Sequence, residues 1–194
     1  MVEFIRNLFL PEKRARYSIA AKLDDDTTQF IKDIWAELEN ELGITHPYAN
    51  PVPHITHVQA HGIKTPDIYD TLERFRELQE PYVVRTSGLG IFTGKHIAIY
   101  ISVVRNPQLT AIQTTLLATL AGSLENIRET HLVNYWMPHI SLLVPTMIDD
   151  RLGDVVTHLA TRDFSREFTV SELVILDSSD TSGDNPHTIS LTKN

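Results

Sequence analysis

Hydrophobic positions along the chain follow two different periods, and each period predicts one type of secondary structure. Spacings of three and four residues predict helices at 24–42, 65–79, 107–120 and 149–161. Short runs rich in β-branched and aromatic residues predict strands at 16–23, 54–59, 82–92, 95–104, 139–144, 168–176 and 187–192. The stretch 123–133 is predicted as a short helix that leads into a strand.

Capping residues mark the ends of two of these helices. Asp24, Asp25 and Asp26 offer carboxylates that can accept hydrogen bonds from the free N–H groups of a first helical turn, and Gly43 ends the same apolar pattern. Asn106-Pro107 opens the third helix, because proline is well tolerated in a first turn.

The order of the predicted elements indicates a duplicated fold. Strand, helix, strand, helix and a strand pair are followed by roughly the same scheme again, and no low-complexity linker divides the chain. We therefore predict one domain over residues 1–194, with residues 1–15 as an N-terminal extension. Its fold class is α+β: a bilobed, duplicated fold in which two antiparallel β-sheets surround a central cleft and the helices lie outside.

Composition limits the classes of partner. The chain is 42% hydrophobic and 22% charged, as globular domains are, and no apolar run approaches the ~20 residues of a membrane helix. The net charge of −8 argues against long nucleic acids, whose binding proteins usually present a basic face, and favours a small or terminal substrate. The chain has no cysteine, which excludes disulfides and fits a cytoplasmic location.

The candidate chemistry lies in a short motif that occurs twice. Pro-His-Ile is followed by a hydroxyl residue once at Thr56 and once at Ser141, on two predicted strands. Residues i and i+2 of a strand point to the same side, so His54 shares a face with Thr56, and His139 shares a face with Ser141. If the two strands lie side by side, a cleft receives two imidazoles and two hydroxyls.

That set of groups suits in-line attack on a phosphodiester. One imidazole can remove a proton from the nucleophile while the other protonates the leaving oxygen, because both titrate near neutral pH. The two hydroxyls can donate hydrogen bonds to the non-bridging oxygens, on which negative charge accumulates. No metal or other cofactor is required for this chemistry.

The motifs resemble those of the 2H phosphoesterase superfamily, whose members include 2′-5′ RNA ligases and RNA 2′,3′-cyclic phosphodiesterases. The matching segments are PHIT at 53–56, PHISL at 138–142 and the strand pair GLGIFTGKHIAIYISV at 88–103, although His57 stands where members usually have an apolar residue. The resemblance implies metal-independent action on 2′,3′-cyclic phosphates or 2′-5′ linkages of a small nucleotide or RNA end. It implies that His54 and His139 form the acid/base pair and that Thr56 and Ser141 bind the phosphate.

Other interpretations of the same residues remain open. The protein could be a module that binds a nucleotide or an RNA end with little turnover. It could also be a zinc-dependent hydrolase that uses His54, His57 and His61, although a strand would place the first two on opposite faces. Tyr48 and Tyr135 precede the two motifs and are candidates for stacking on a nucleobase.

Overall fold

The structure is a computed structural model that describes residues 16–44, 51–65, 67–94, 97–143, 151–179 and 186–192. The predicted N-terminal extension at 1–15 lies outside this part. The described strands are β1 (Tyr17–Lys22), β2 (His54–Ile63), β3 (Tyr82–Phe92), β4 (Ala98–Val103), β5 (Leu124–Ile127), β6 (His139–Leu143), β7 (Glu167–Val170), β8 (Glu172–Asp177) and β9 (His187–Ser190). The described α-helices are α1 (Asp25–Leu42), α2 (Ile68–Leu78), α3 (Pro107–Leu120) and α4 (Leu152–Leu159).

The strands form a curled antiparallel sheet with the two motif strands at its centre. Their order is β7-β3-β4-β6-β2-β1-β8-β9, and β5 lies beside the far end of β2. Every registered pair is antiparallel. The predicted α+β class is therefore confirmed, and the two predicted sheets are joined where β2 meets β6.

The predicted capping residues form the expected contacts. Asp24 accepts a hydrogen bond from the Thr27 amide at the start of α1, and Gly43 ends this helix with a left-handed backbone at φ 66°. At the start of α3, the side chain of Asn106 accepts from the Leu109 amide 2.7 Å away. None of the described helices has both the length and the apolar character needed to span a bilayer.

The helices cover one face of the sheet and close the main core against it. α1 contacts α4 and the motif strand β6, and the indole of Trp35 donates to the Leu142 carbonyl. α3 contacts α2 and the other motif strand, β2. α1 follows β1 in the chain but packs under β6, and α3 follows β4 but packs under β2. Each motif strand is thus supported by a helix that comes from the opposite half of the sheet.

The predicted strand at 168–176 is wrong in one respect, because the structure divides it in two. β7 pairs with β3, and β8 pairs with β1 and β9, so the chain crosses from one half of the sheet to the other at Ser171. The apolar pattern continues through Ser171 because the residues on both sides face the same core. A continuous pattern does not reveal that the pairing partner changes.

The prediction for 123–133 had its two elements in reverse order. β5 comes first and pairs with the end of β2, and a 3-10 turn at Glu129–His131 follows it. β2 extends to Ile63 rather than to the predicted residue 59, and this extension provides the partner for β5. The strand character of β5 therefore depends on a distant neighbour, which local periodicity cannot reveal.

Candidate active site

The two Pro-His-Ile motifs lie side by side in the folded chain. Ile55 of β2 is registered opposite Ile140 of β6 in an antiparallel pair. Counting one residue outwards from this pair places His54 beside Ser141, and Thr56 beside His139. The two motifs are therefore related by an approximate two-fold axis through the isoleucine pair.

The four polar residues of the motifs point to the same side of the sheet. Ile55 and Ile140 are both 1% exposed and belong to the main core below the sheet. Their neighbours on each strand point the opposite way, because side chains alternate along a strand. We call the side to which His54, Thr56, His139 and Ser141 point the motif face.

Both motif histidines are held by the same hydrogen bond. Nδ1 of His54 donates to the Val52 carbonyl at 2.7 Å, and Nδ1 of His139 donates to the Met137 carbonyl at 2.7 Å. A carbonyl can only accept, so Nδ1 carries the proton in each ring. Neither Nε2 has a partner among the described residues. Each Nε2 is therefore available to a ligand, as a base when the ring is neutral and as an acid when it is protonated.

Burial shifts the titration of both rings in the same direction. It lowers the pKa of His54 below the usual 6.5, and the nearby His139 lowers it further. Burial also lowers the pKa of His139, while its hydrogen bond to the Met137 carbonyl opposes the shift. The two imidazoles are thus close enough that a positive charge on His139 disfavours protonation of His54.

The hydroxyl groups of the two motifs are available to form hydrogen bonds with a ligand. Within the described residues, neither the Thr56 hydroxyl nor the Ser141 hydroxyl has a hydrogen-bond partner. The backbone carbonyl of Thr56 accepts from the indole of Trp136 at 2.8 Å, which fixes the strand at this position. The side chain of Thr56 is thus held in place through its backbone, and its hydroxyl can donate to a bound anion.

An aromatic pair beside His139 was missed by the sequence reasoning. The rings of Phe92 and Tyr100 stack with centroids 4.2 Å apart. Both rings meet the imidazole of His139 edge-on, at centroid distances of 4.9 Å for Phe92 and 5.2 Å for Tyr100. The signal that could have revealed the pair is Gly90, the cross-strand partner of Tyr100 and a residue small enough to lie under a ring.

The other half of the motif face has a different character. Ala20 is registered with Thr56, and it packs with Val174 and Leu176 in a small cluster separate from the main core. Beside His54, Lys22 forms a salt bridge of 2.5 Å with Glu172. The motif face is therefore aromatic on the side of His139, and aliphatic with an ion pair on the side of His54.

Of the two predicted stacking residues, only Tyr135 is described, and it does not join this arrangement. The side chain of Tyr135 is 61% exposed, and none of its described ring contacts reaches either histidine. Tyr48 lies outside the described residues. Trp136, which separates Tyr135 from the second motif, is 1% exposed and packs in the core.

The three histidines of the zinc alternative do not converge. His57 is fully buried on the core side of β2, away from the motif face, and both of its ring nitrogens are hydrogen-bonded within the protein. Nδ1 of His61 donates to the Asn126 carbonyl near β5. Strand alternation thus separates His57 from His54, as expected, and the zinc set is incorrect for this geometry.

One cluster of metal-binding residue types occurs elsewhere among the described residues. Ligand atoms of Glu37, Glu41 and His158 lie within 4.8 Å of one another between α1 and α4. Glu37 accepts from His158 at 2.7 Å and also from Arg162, which lowers the pKa of its carboxyl group. These contacts satisfy Glu37 as an ion pair between two helices.

Comparison with known proteins places this chain in a family. The model of the family described as the 2′-5′ RNA ligase superfamily matches residues 23–182. No curated protein sequence matches the chain. The matched range contains both motifs and all four polar residues of the motif face.

Solved structures share the fold at low sequence identity. Escherichia coli LigT in its apo form has 17% identity and a TM-score of 0.61, over 92% of this chain and 98% of LigT. A crystal structure described as a phosphoesterase has 16% identity and a TM-score of 0.61, over 93% and 100%. Usb1 of Kluyveromyces marxianus has 14% identity and a TM-score of 0.51, over 92% and 98%. LigT has also been solved with phosphate and with 3′-AMP.

Proposed function

This chain belongs to the 2′-5′ RNA ligase superfamily, and from that membership we propose that it is a metal-independent phosphodiesterase with a two-histidine acid/base mechanism. Its proposed substrates are 2′,3′-cyclic phosphates on small nucleotides or at RNA ends, with 2′-5′ linkages as a related group. The net charge of −8 supports a small or terminal substrate over a long nucleic acid.

The observation that carries this proposal is the matched hydrogen bonding of the two imidazoles. His54 and His139 both donate from Nδ1 to the carbonyl two residues earlier, on adjacent strands. The same tautomer is therefore fixed in both rings, and both Nε2 atoms are available on the motif face. Fixing the tautomer and the ring orientation in this way prepares the groups for proton transfer.

Hydrolysis would then proceed in one in-line step. One neutral imidazole takes a proton from water at Nε2 while the water oxygen bonds to phosphorus. The bond from phosphorus to the leaving ribose oxygen breaks, and that oxygen receives the Nε2 proton of the other, protonated imidazole. The product is a nucleoside monophosphate or an RNA end with an opened phosphate, and the two histidines have exchanged roles.

The remaining groups of the motif face would stabilise and orient the substrate. The hydroxyls of Thr56 and Ser141 would donate to the non-bridging phosphate oxygens as their negative charge increases. Phe92 and Tyr100 would provide a stacking surface for the nucleobase on the side of His139. The 3′-AMP-bound form of the related LigT supports a nucleotide as the ligand class.

The proposal is tested by hydrolysis of the four nucleoside 2′,3′-cyclic monophosphates and of a short RNA with a cyclic phosphate end. Each reaction is run in EDTA, and the 2′- or 3′-phosphate product is identified. Turnover that persists in EDTA supports the proposal, and the product isomer identifies the leaving oxygen. Tight binding of these substrates without turnover would instead support the nucleotide-binding module, and loss of activity in EDTA would indicate a metal-dependent hydrolase.

A further inference from the structure

A buried polar network lies directly beneath the first motif. His57 follows Thr56 in β2 and is 0% exposed. Its Nδ1 lies 2.9 Å from Oε1 of Gln113 in α3, and its Nε2 lies 2.8 Å from the hydroxyl of Tyr82 in β3. Its ring stacks on the indole of Trp136 at a centroid distance of 5.1 Å. A fully buried imidazole is unusual at a core position, which an apolar side chain usually occupies, so the presence of His57 requires an explanation.

The contacts of Gln113 determine where each proton lies. Its Nε2 donates to the backbone carbonyls of His57 at 2.7 Å and of His131 at 2.9 Å. The amide orientation is thereby fixed, so Oε1 is an acceptor and Nδ1 of His57 must be the donor. Nε2 of the neutral ring then accepts from the Tyr82 hydroxyl. Burial lowers the pKa of His57 to about 4, which is consistent with a neutral ring at pH 7.

The network connects the two motifs through the core. Trp136 stacks on His57, donates to the Thr56 carbonyl at 2.8 Å and lies three residues before His139. The carbonyls on either side of the His57 Cα are thus fixed: that of Thr56 by the indole and that of His57 itself by Gln113. Among the described residues, β2 and β6 are joined directly by one registered pair, Ile55 with Ile140.

We propose that His57 and Gln113 are positioning residues that hold the two motif histidines in the relative placement required for catalysis. Neither reaches the motif face, because both lie on the core side of β2. Their hydrogen bonds to backbone carbonyls, together with the stacked indole of Trp136, restrain two parts of the chain. These are the strand that carries His54 and the segment that leads to His139. This inference rests on the proposed function for its catalytic readout, but its structural part can be tested separately.

The test uses His57→Phe, Gln113→Leu and the double variant. Phenylalanine can still stack on Trp136 but cannot form either ring hydrogen bond, and leucine has the approximate volume of glutamine without its amide. His61→Phe is the matched control, since it removes a part-exposed histidine from the same strand. We expect each single variant to lower kcat at least tenfold and to change KM less than threefold, at temperatures well below its measured Tm.

The double variant separates a shared role from two independent ones. If the two residues act as one unit, its kcat will be no lower than about that of the poorer single variant. His57→Asn, whose amide nitrogen can replace Nδ1 as the donor to Gln113, should recover part of the lost kcat. A folded His57→Phe variant with kcat within twofold of wild type would overturn the inference, and so would equal losses in the His61→Phe control.

A second readout does not depend on activity. NMR spectra of the imidazole rings should show shifted His54 and His139 resonances in His57→Phe and unchanged ones in His61→Phe. If the wild type hydrolyses no phosphodiester, the proposed function fails while these shifts still support the positioning inference. Unchanged resonances of both rings in a folded His57→Phe variant would overturn the inference whatever the activity.

Discussion

Ile55 lies opposite Ile140, and this pair is the registered contact between the two motif strands in the described part of the sheet. Both side chains are buried in the core, so the flanking histidines and hydroxyl residues must point to the opposite face. The arrangement brings an imidazole from each half of the chain to one surface. It also explains why each half contains Pro-His-Ile followed by a hydroxyl residue.

Removal of either motif hydroxyl should slow catalysis without unfolding the protein. Thr56→Val and Ser141→Ala each remove a proposed donor to the phosphate oxygens, and loss of one such donor typically lowers kcat ~10²–10³-fold. Steady-state kinetics on a cyclic nucleotide measures the effect. Thr119→Val is the control, because that hydroxyl donates to the Thr115 carbonyl on the exposed side of α3. Losses below threefold in both motif variants would exclude the hydroxyls from catalysis.

Gly90 should be intolerant of even one added methyl group. A Cβ atom at this position would lie 2.2 Å from Cζ of Tyr100, so the ring would have to move away from His139. Gly90→Ala is expected to lower the free energy of unfolding by roughly 1–3 kcal/mol, as overpacking does. Gly122→Ala is the matched control, since nothing lies within 4 Å of its added Cβ.

Chemical denaturation measures both changes in stability. Truncation of the ring in the double variant Gly90→Ala/Tyr100→Ala should remove the additional cost of the alanine at position 90. A Gly90→Ala protein as stable as wild type would mean that the ring does not pack against the backbone of β3.

Stability should depend on pH through the buried His57. Its pKa is about 4 in the folded protein and about 6.5 when exposed, so between these values the unfolded chain binds more protons. The free energy of unfolding should therefore fall as the pH is lowered from 7 to 4, with a contribution from His57 of about 3 kcal/mol. Nearby His131, whose pKa is lowered to about 3, contributes in the same direction.

Urea denaturation at a series of pH values measures this dependence. His57→Phe should flatten the curve between pH 6.5 and 4, because it removes one buried titrating group. An identical slope in wild type and His57→Phe would mean that His57 is not buried in its neutral form.

The aromatic pair should affect substrate binding more than the chemical step. Base stacking on an aromatic ring contributes ~1–3 kcal/mol, so Phe92→Leu should raise KM for a cyclic nucleotide about tenfold and change kcat little. A ribose cyclic phosphate without a base should be insensitive to the same substitution. Phe30→Leu is the control, because that ring packs against Phe164 and Arg166, outside the site. Equal effects on both substrates would exclude stacking at Phe92.

The motifs were predictable from the sequence because their information is local. Two occurrences of Pro-His-Ile and the alternation of strand side chains were sufficient to place His54 with Thr56 and His139 with Ser141. The helix ends at Asp24, Gly43 and Asn106 were also predictable, since capping depends on residues within one turn.

The remaining parts depend on contacts between distant segments. The partner change at Ser171 and the strand character of β5 follow from which strands become neighbours, and periodicity does not specify this. The same applies to Tyr100, which reaches His139 through the pairing of β4 with β6. His57 was recognised as a departure from the family pattern, but its role depends on Gln113, 56 residues later in the chain.

The most direct test of the account is the kcat of His54→Ala and His139→Ala in EDTA, measured with a cyclic nucleotide that the wild type hydrolyses. Acid or base catalysis by a positioned side chain typically contributes 10²–10⁴-fold, so each folded variant should lose at least about 100-fold in kcat. The substitution His61→Ala, on the same strand as His54, should have little effect. A folded His54→Ala or His139→Ala enzyme that retains kcat within tenfold of wild type would contradict the two-histidine mechanism.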